Sequence, residues 1–271
     1  MSRTIGVFDS GVGGLSVLQH IRATLPDARL IYVADSAHVP YGDKTPAYIA
    51  ARSLALTQFL IEQGAEAIVI ACNTATAAAA QILREKYSLP IIAMEPAVKP
   101  AVAATHSGVV GVLATIGTLE SSRFAALLEK YAGDVEIITQ GCPGLVERVE
   151  AGDLHSDSTR QLIAQYTAPL LARGADTLIL GCTHYPFLAP VIREVVGKKI
   201  TLIDTGAAVA RELKRRIETE LPEQNSAAVP VANSVARDHF FTSGEPHSAT
   251  QIMSILWGKA VTVEMLPPAY R

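Results

Sequence analysis

Two cysteines in this 271-residue chain close two stretches that repeat each other. Gly64 to Thr74 reads GAEAIVIACNT and Gly174 to His184 reads GADTLILGCTH. Cys182 follows Cys72, and Gly174 follows Gly64, at one interval of 110 residues (182 − 72 and 174 − 64). Each stretch opens Gly-Ala-acid, runs through a β-branched and leucine-rich strand, and delivers a thiol followed by small or polar residues. A duplicated fold that presents one thiol from each half can set sulfur on opposite sides of one small molecule. That suits a reaction in which one face loses a proton and the opposite face gains one. A free thiol has a pKa of about 8.5, so only a few per cent is thiolate at neutral pH. A strand end that leads into a helix places the sulfur near the helix N-terminus, whose dipole favours the thiolate. Cysteine is a common buried residue, but two at matching strand ends lie where open α/β sheets bind ligands.

Other residues gather at the same ends. Asp9 and Ser10 finish the first strand, ahead of Gly11-Val12-Gly13-Gly14, and face the same crevice as Cys72. The glycines let backbone N–H groups approach an anion at a helix start; the same loop also suits a tight turn with Asp9 as an N-cap. His184, two residues beyond Cys182, can tune that thiol or relay a proton. Glu150, in LVERVEAGD, is a candidate partner for it that spacing alone does not place. Asn73, Thr74 and Thr183 offer short donors beside each thiol, suited to carboxylate oxygens. Tyr41-Gly42 falls in a loop after the second strand, where crevice residues collect. Cys142 precedes a proline and reads as structural.

Two rival readings use some of these residues. Gly11-Val12-Gly13 after a strand, with Asp35 closing the next, imitates a dinucleotide fingerprint. The third glycine position holds Ser16, and Asp9 would put negative charge where pyrophosphate should lie. Cys72 and Cys182 could instead form a switchable disulfide in a regulatory protein. A P-loop is excluded because no Gly-Lys-Ser/Thr occurs.

Composition narrows the class. With 49% hydrophobic and 18% charged residues the chain is globular, long enough for about two domains. The net charge of −3, with Lys214-Arg215-Arg216 as the longest basic run, argues against a nucleic-acid footprint. Residues 67–83 and 100–119 lack charges but contain polar residues, proline or glycines, and read as buried strands and helices, with no membrane span. The N-terminus enters a strand without an apolar signal region, so the expected compartment is the cytoplasm. Three cysteines without CxxC or zinc-finger spacing give no metal motif.

The elements that must carry these residues alternate. Strands are expected at 5–9, 30–35, 67–72 and 90–95, with helices at Leu15–Leu25, at Pro46–Gln63 and after Cys72. The pattern restarts with strands at 109–115, 135–141, 177–182 and 200–204, a helix at Leu119–Tyr131, a helical stretch to Arg173 and a helix after Pro186. A helix at Ala207–Glu220 and a polar loop at 221–237 follow. Two short strands and a helix at Ala249–Trp257 then pack back onto the first unit. The fold class is α/β: two homologous domains with mostly parallel central sheets, related by a pseudo-two-fold axis, with the site in the cleft between them. The expected division is 1–95 plus 207–271 for the first domain and 96–206 for the second.

Taken together, FDSGVGGLSVL, VPYGDK, ACNTAT, VEAGD, LGCTHYP and FFTSGEP resemble the glutamate racemases of the cofactor-independent aspartate/glutamate racemase superfamily. The likeness runs nearly end to end; Ser16 stands where the family often has threonine. It implies interconversion of L- and D-glutamate without metal or cofactor, supplying D-glutamate for peptidoglycan, by proteins that form homodimers. It also implies that Cys72 removes the proton from D-glutamate and Cys182 from the L isomer. Asp9, Glu150 and His184 match assisting residues. Asp9-Ser10, Tyr41-Gly42, Asn73-Thr74 and Thr183-His184 match substrate-binding pairs.

Overall fold

The computed structural model describes residues 3–222 and 238–271, and sets their strands in two sheets. The first half runs β1 (Thr4–Asp9), α1 (Leu15–Thr24), β2 (Arg29–Ala34), α2 (Pro46–Glu62), β3 (Ala67–Ile70), α3 (Asn73–Lys86) and β4 (Ile91–Ala93). The next part runs α4 (Val98–Ala104), β5 (Val109–Ala114), α5 (Ile116–Leu119), α6 (Ser122–Tyr131) and β6 (Glu136–Gly141). It continues through α7 (Leu145–Glu150), α8 (Asp157–Ala172), β7 (Thr177–Leu180), α9 (Tyr185–Val196) and β8 (Thr201–Ile203). Last come α10 (Gly206–Glu220), β9 (His239–Thr242), α11 (Pro246–Trp257) and β10 (Val263–Met265). From residue 223 to 237, the loop expected at 221–237 lies outside the described residues.

The strand orders show the duplication. The six-stranded sheet is ordered β10-β9-β2-β1-β3-β4 and the four-stranded sheet β6-β5-β7-β8, so β2-β1-β3-β4 is answered by β6-β5-β7-β8. Every described strand pair is parallel. Helices cover both faces of such a sheet, so its central strands read as continuous apolar runs. AIVI of β3 and TLIL of β7 are buried at every position. The segment after β8 returns to the first sheet: α10 packs on α1, and β9 pairs with β2.

The register repeats as well. Gly6 of β1 lies opposite Ile68, and Gly111 of β5 lies opposite Leu178. Each glycine makes room for the helix above it. A Cβ on Gly6 would stand 2.9 Å from Leu60 of α2, and one on Gly111 2.8 Å from Leu170 of α8. The helices that cross there also end alike. Gly64 and Gly174 take φ of +86° and +89°. The amides of Ala65 and Ala175 donate back to the Leu60 and Leu170 carbonyls at 3.0 and 3.1 Å. This is the Schellman stop, which wants glycine at the left-handed position. The repeated Gly-Ala-acid is therefore a helix terminator that aims the following strand, with its cysteine, at the crevice.

Local chemistry modifies some expected elements. The helix expected at Leu119–Tyr131 is α6, which starts later because Ser121 caps it, and the short α5 capped by Thr115 precedes it unforeseen. The helical stretch to Arg173 is two helices, α7 and α8, the second capped by Ser156. β4 is shorter than 90–95. The unforeseen helix α4 carries Pro100 in its first turn, where proline is tolerated.

Gly6→Ala and Gly111→Ala should each destabilise the fold by about 1–3 kcal/mol, as overpacking between sheet and helix does. Denaturant midpoints measure this; unchanged midpoints would show that α2 and α8 do not need the missing Cβ.

Candidate active site

The carboxyl ends of β1, β3, β5 and β7 converge on one cavity of about 10 Å³. That is room for about one water, so an amino acid between the thiols needs the walls to move apart. Ser10, Tyr41, Gly42, Cys72, Asn73 and Thr74 line it from the first sheet's side, and Thr115, Cys182, Thr183 and His184 from the second. Cys72 and Cys182 are free thiols, 5% and 7% exposed, so any ligand between them is shielded from water. Asp9 and Glu150 do not line the cavity; they stand behind it and hold the groups that do.

The two sulfurs have different surroundings. Cys72 is the N-cap of α3 and accepts the Ala75 N–H at 3.4 Å. Its thiol donates to Ser10 Oγ at 3.8 Å, and Ser10 donates to Asp9 Oδ1 at 3.2 Å. The expected lowering by the helix terminus does not prevail. Burial pushes the Cys72 thiol well above its ordinary value, Asp9 adds to this, and the Ala75 N–H opposes it only in part. Cys182 instead lies 3.6 Å from His184 Nδ1, and His184 Nε2 lies 2.6 Å from Glu150 Oε1. Burial disfavours the imidazolium, but hydrogen bonds with Cys182 and Glu150 outweigh it and hold His184 well above the usual histidine range.

The glycine loop after β1 does receive an anion, and that anion is the protein's own. Glu150 Oε1 also accepts the Val12 N–H at 2.8 Å. A Cβ on Gly11 would stand 1.9 Å from Glu150 Oε1, and one on Gly13 2.3 Å from His184 Nδ1. Asp9 is not an N-cap: α1 is capped at Gly14, whose N–H donates to Asp9 Oδ2 at 2.6 Å. Asp9 also accepts the Ser10 N–H at 2.7 Å and the Thr183 hydroxyl at 3.2 Å. Burial raises its pKa despite the opposing charge of His184. Ser16, the departure from the family pattern, donates to the Thr183 carbonyl at 2.8 Å and ties α1 to the Cys182 loop.

The expected binding pairs divide by what they have left to offer. Both amide atoms of Asn73 are buried without a hydrogen-bond partner, so they remain available to a ligand. Thr74 is engaged with Thr115 at 2.9 Å and Thr118 at 3.2 Å, a triangle of hydroxyls bridging α3 and the end of β5. The Tyr41 hydroxyl donates to Asp35 at 2.6 Å. Asp35 is buried and held by Arg52 at 2.7 Å, which removes it from any role on a ribose and, with the glycine loop filled by Glu150 and His184, rules out the dinucleotide reading. Cys142 is held at about 12 by burial and donates to the Gln140 carbonyl, a packing role. Thr115 went unnoticed in the sequence. It follows β5 as Ser10 follows β1, and the strand register that matches Ile5 with Val110 would have found it.

Comparison with known proteins gives a consistent picture. Residues 5–213 match the Asp/Glu/Hydantoin racemase family. The chain is 56% identical over 264 residues to a glutamate racemase of Stutzerimonas stutzeri, covering 97% of each. The Escherichia coli glutamate racemase, solved with L-glutamate and the activator UDP-MurNAc-ala, superposes with a TM-score of 0.86 at 34% identity, covering 98% of each chain. The Francisella tularensis glutamate racemase, solved with D-glutamate, gives 0.82 at 28% identity, again over 98% of each.

The His184 contacts carry a pH signature. A histidine whose folded pKa is raised contributes stability that is fully present below its unfolded value of about 6.5. That contribution is lost as pH rises through the folded value. Glu150→Gln should lower the His184 pKa and narrow this window, as seen by ring NMR titration and by unfolding midpoints across pH. An unmoved titration would show that Glu150 does not hold the proton.

Proposed function

This chain belongs to the Asp/Glu/Hydantoin racemase family and is an amino-acid racemase; from that premise we propose that it interconverts L- and D-glutamate by a two-base mechanism with Cys72 and Cys182. The observation that carries this reading is the meeting of two thiols, from matching strand ends of the repeat, on one small shielded cavity. The substrate follows from the relatives, which are glutamate racemases over nearly their whole length.

The chemistry follows from the surroundings. Abstraction of the α-proton leaves a carbanion-like centre, so donors around the α-carboxylate must be in place beforehand. The Asn73 amide NH₂, free of other partners, is positioned to donate to a carboxylate oxygen, whereas the Ser10 and Thr183 hydroxyls donate to Asp9 and must turn from it to do the same. One thiolate takes the Cα proton and becomes a thiol. The facing thiol gives its proton to the opposite face and becomes a thiolate, so atoms and charge balance.

His184, held as a cation by Glu150, stands beside the Cys182 sulfur, whereas burial keeps Cys72 as the thiol. In the family's assignment the L-to-D direction has Cys182 take the proton and Cys72 give one. Restoring the pair after turnover needs proton movement along Ser10–Asp9 on one side and His184–Glu150 on the other. The same reading makes 1–95 plus 207–271 and 96–206 the two closing bodies. It carries with it a homodimer in the cytoplasm that supplies D-glutamate for peptidoglycan.

Purified protein incubated with D-glutamate and no additive should lose optical rotation. Cys72→Ser and Cys182→Ser should each cut net racemisation by at least the roughly 10²–10⁴-fold of a positioned acid or base. In deuterated water the product enantiomer should carry deuterium at Cα while remaining substrate stays protiated. Full activity in either variant, or early labelling of the substrate, would refute the two-base reading.

A further inference from the structure

One guanidinium outside the cavity serves three parts of the molecule. Arg52, on α2, donates Nε and Nη2 to the two Asp35 oxygens at 2.9 and 2.7 Å. It also donates to the carbonyls of Tyr270 and Arg271 at 2.8 and 2.9 Å. Asp35 is wholly buried, and the Tyr41 phenol donates to its Oδ2 at 2.6 Å. Tyr41 is itself buried and lines the cavity between Pro40 and Gly42.

Each link has a physical reason. A buried carboxylate without a cation takes up a proton or draws in water. The planar fork of arginine engages both oxygens at once, which a lysine point charge cannot do. Oxygens fixed in that way leave Asp35 Oδ2 pointing at the phenol, so the Tyr41 hydroxyl is committed to the protein and not to a substrate. What Tyr41 offers the cavity is a wall whose position is set from behind. The carbonyls of Tyr270 and Arg271 also engage the guanidinium, and the Tyr270 ring packs tilted at 56° against Phe59 of α2 with centroids 5.5 Å apart.

We propose that Arg52, acting through Asp35 and the Tyr41 phenol, is a positioning residue for the Pro40–Tyr41–Gly42 wall of the cavity. The inference rests on the racemase reading for its kinetic consequence, and on geometry alone for the wall. Displacing a wall that bears on bound substrate weakens ground-state and transition-state binding together, so the loss falls on KM more than on kcat.

The test is a double-mutant cycle of Arg52→Gln with Tyr41→Phe, alongside Arg52→Lys. Each of the first two should raise KM for both enantiomers by about tenfold, with kcat changed less than about threefold. Because they act on one linkage, the double variant should be no worse than the poorer single within about twofold. Arg52→Lys, which keeps the charge but not the fork, should recover part of the loss. Labelling of Cys72 by iodoacetamide, followed by peptide mass spectrometry, should be faster in Arg52→Gln and Tyr41→Phe than in the wild type. Should Arg52→Gln not fold, Arg52→Lys with Tyr41→Phe forms the same cycle. Additive losses, or unchanged KM and labelling in folded variants, would overturn the proposal. Wild-type protein inert toward glutamate would instead overturn the racemase reading, leaving the labelling comparison to decide the wall.

Discussion

A single carboxylate oxygen holds the site together. Glu150 Oε1 meets the His184 ring and the Val12 amide at once, so it joins α7, the end of β7 and the loop after β1. The approach is possible only because Gly11 and Gly13 have no side chains. On this seam the charges are arranged so that each is answered. Asp9 is met by two backbone N–H groups and the Thr183 hydroxyl, and Glu150 by an imidazolium and an amide. Buried charge is costly unless paired and hydrogen-bonded, which explains why two carboxylates can stand behind a cavity this small.

One apolar cluster runs through both halves, joining Val7, Tyr32 and Val69 of the first to Leu180, Tyr185 and Leu188 of the second. Cys182 belongs to that shared cluster, whereas Cys72 backs onto a second one, with Phe8, Ile70 and Leu83, that lies within the first half. Each sulfur is thus anchored in a different cluster, and both line the cavity. The bridge of Thr74, Thr115 and Thr118 is made of hydroxyls, and such bonds are worth only about 1 kcal/mol net against water. The shared apolar cluster, rather than this bridge, therefore does most to hold the two halves together.

Much of this was legible in the residues. The repeat announced itself through Gly-Ala-acid and Cys because both a helix stop and a strand end recur at one interval, and these are local properties. The alternation of apolar runs and helical periods gave the fold class for the same reason. Glu150 could not be placed, since its contact with Val12 spans 138 positions and depends on how two layers meet. The start of α6 was set a turn too early because Ser121, a common capping residue, lies within the apolar spacing that marks the helix. The state of Cys72 was misjudged because a helix terminus can be read from sequence, whereas burial and the nearness of Asp9 cannot. Arg52 looked like one more basic residue on a long helix until the fold set Asp35 beneath it.

The unequal company of the two sulfurs has a thermodynamic limit. L- and D-glutamate are mirror images with identical free energies in water, so their equilibrium constant is unity. For the proposed reaction, kcat/KM must then be the same in both directions, whatever His184 and Glu150 do on one side and Ser10 and Asp9 on the other. The asymmetry of the protein can only divide that common value differently between turnover and affinity. A chiral catalyst of this kind is free to hold one enantiomer longer, yet has no means of favouring it at equilibrium.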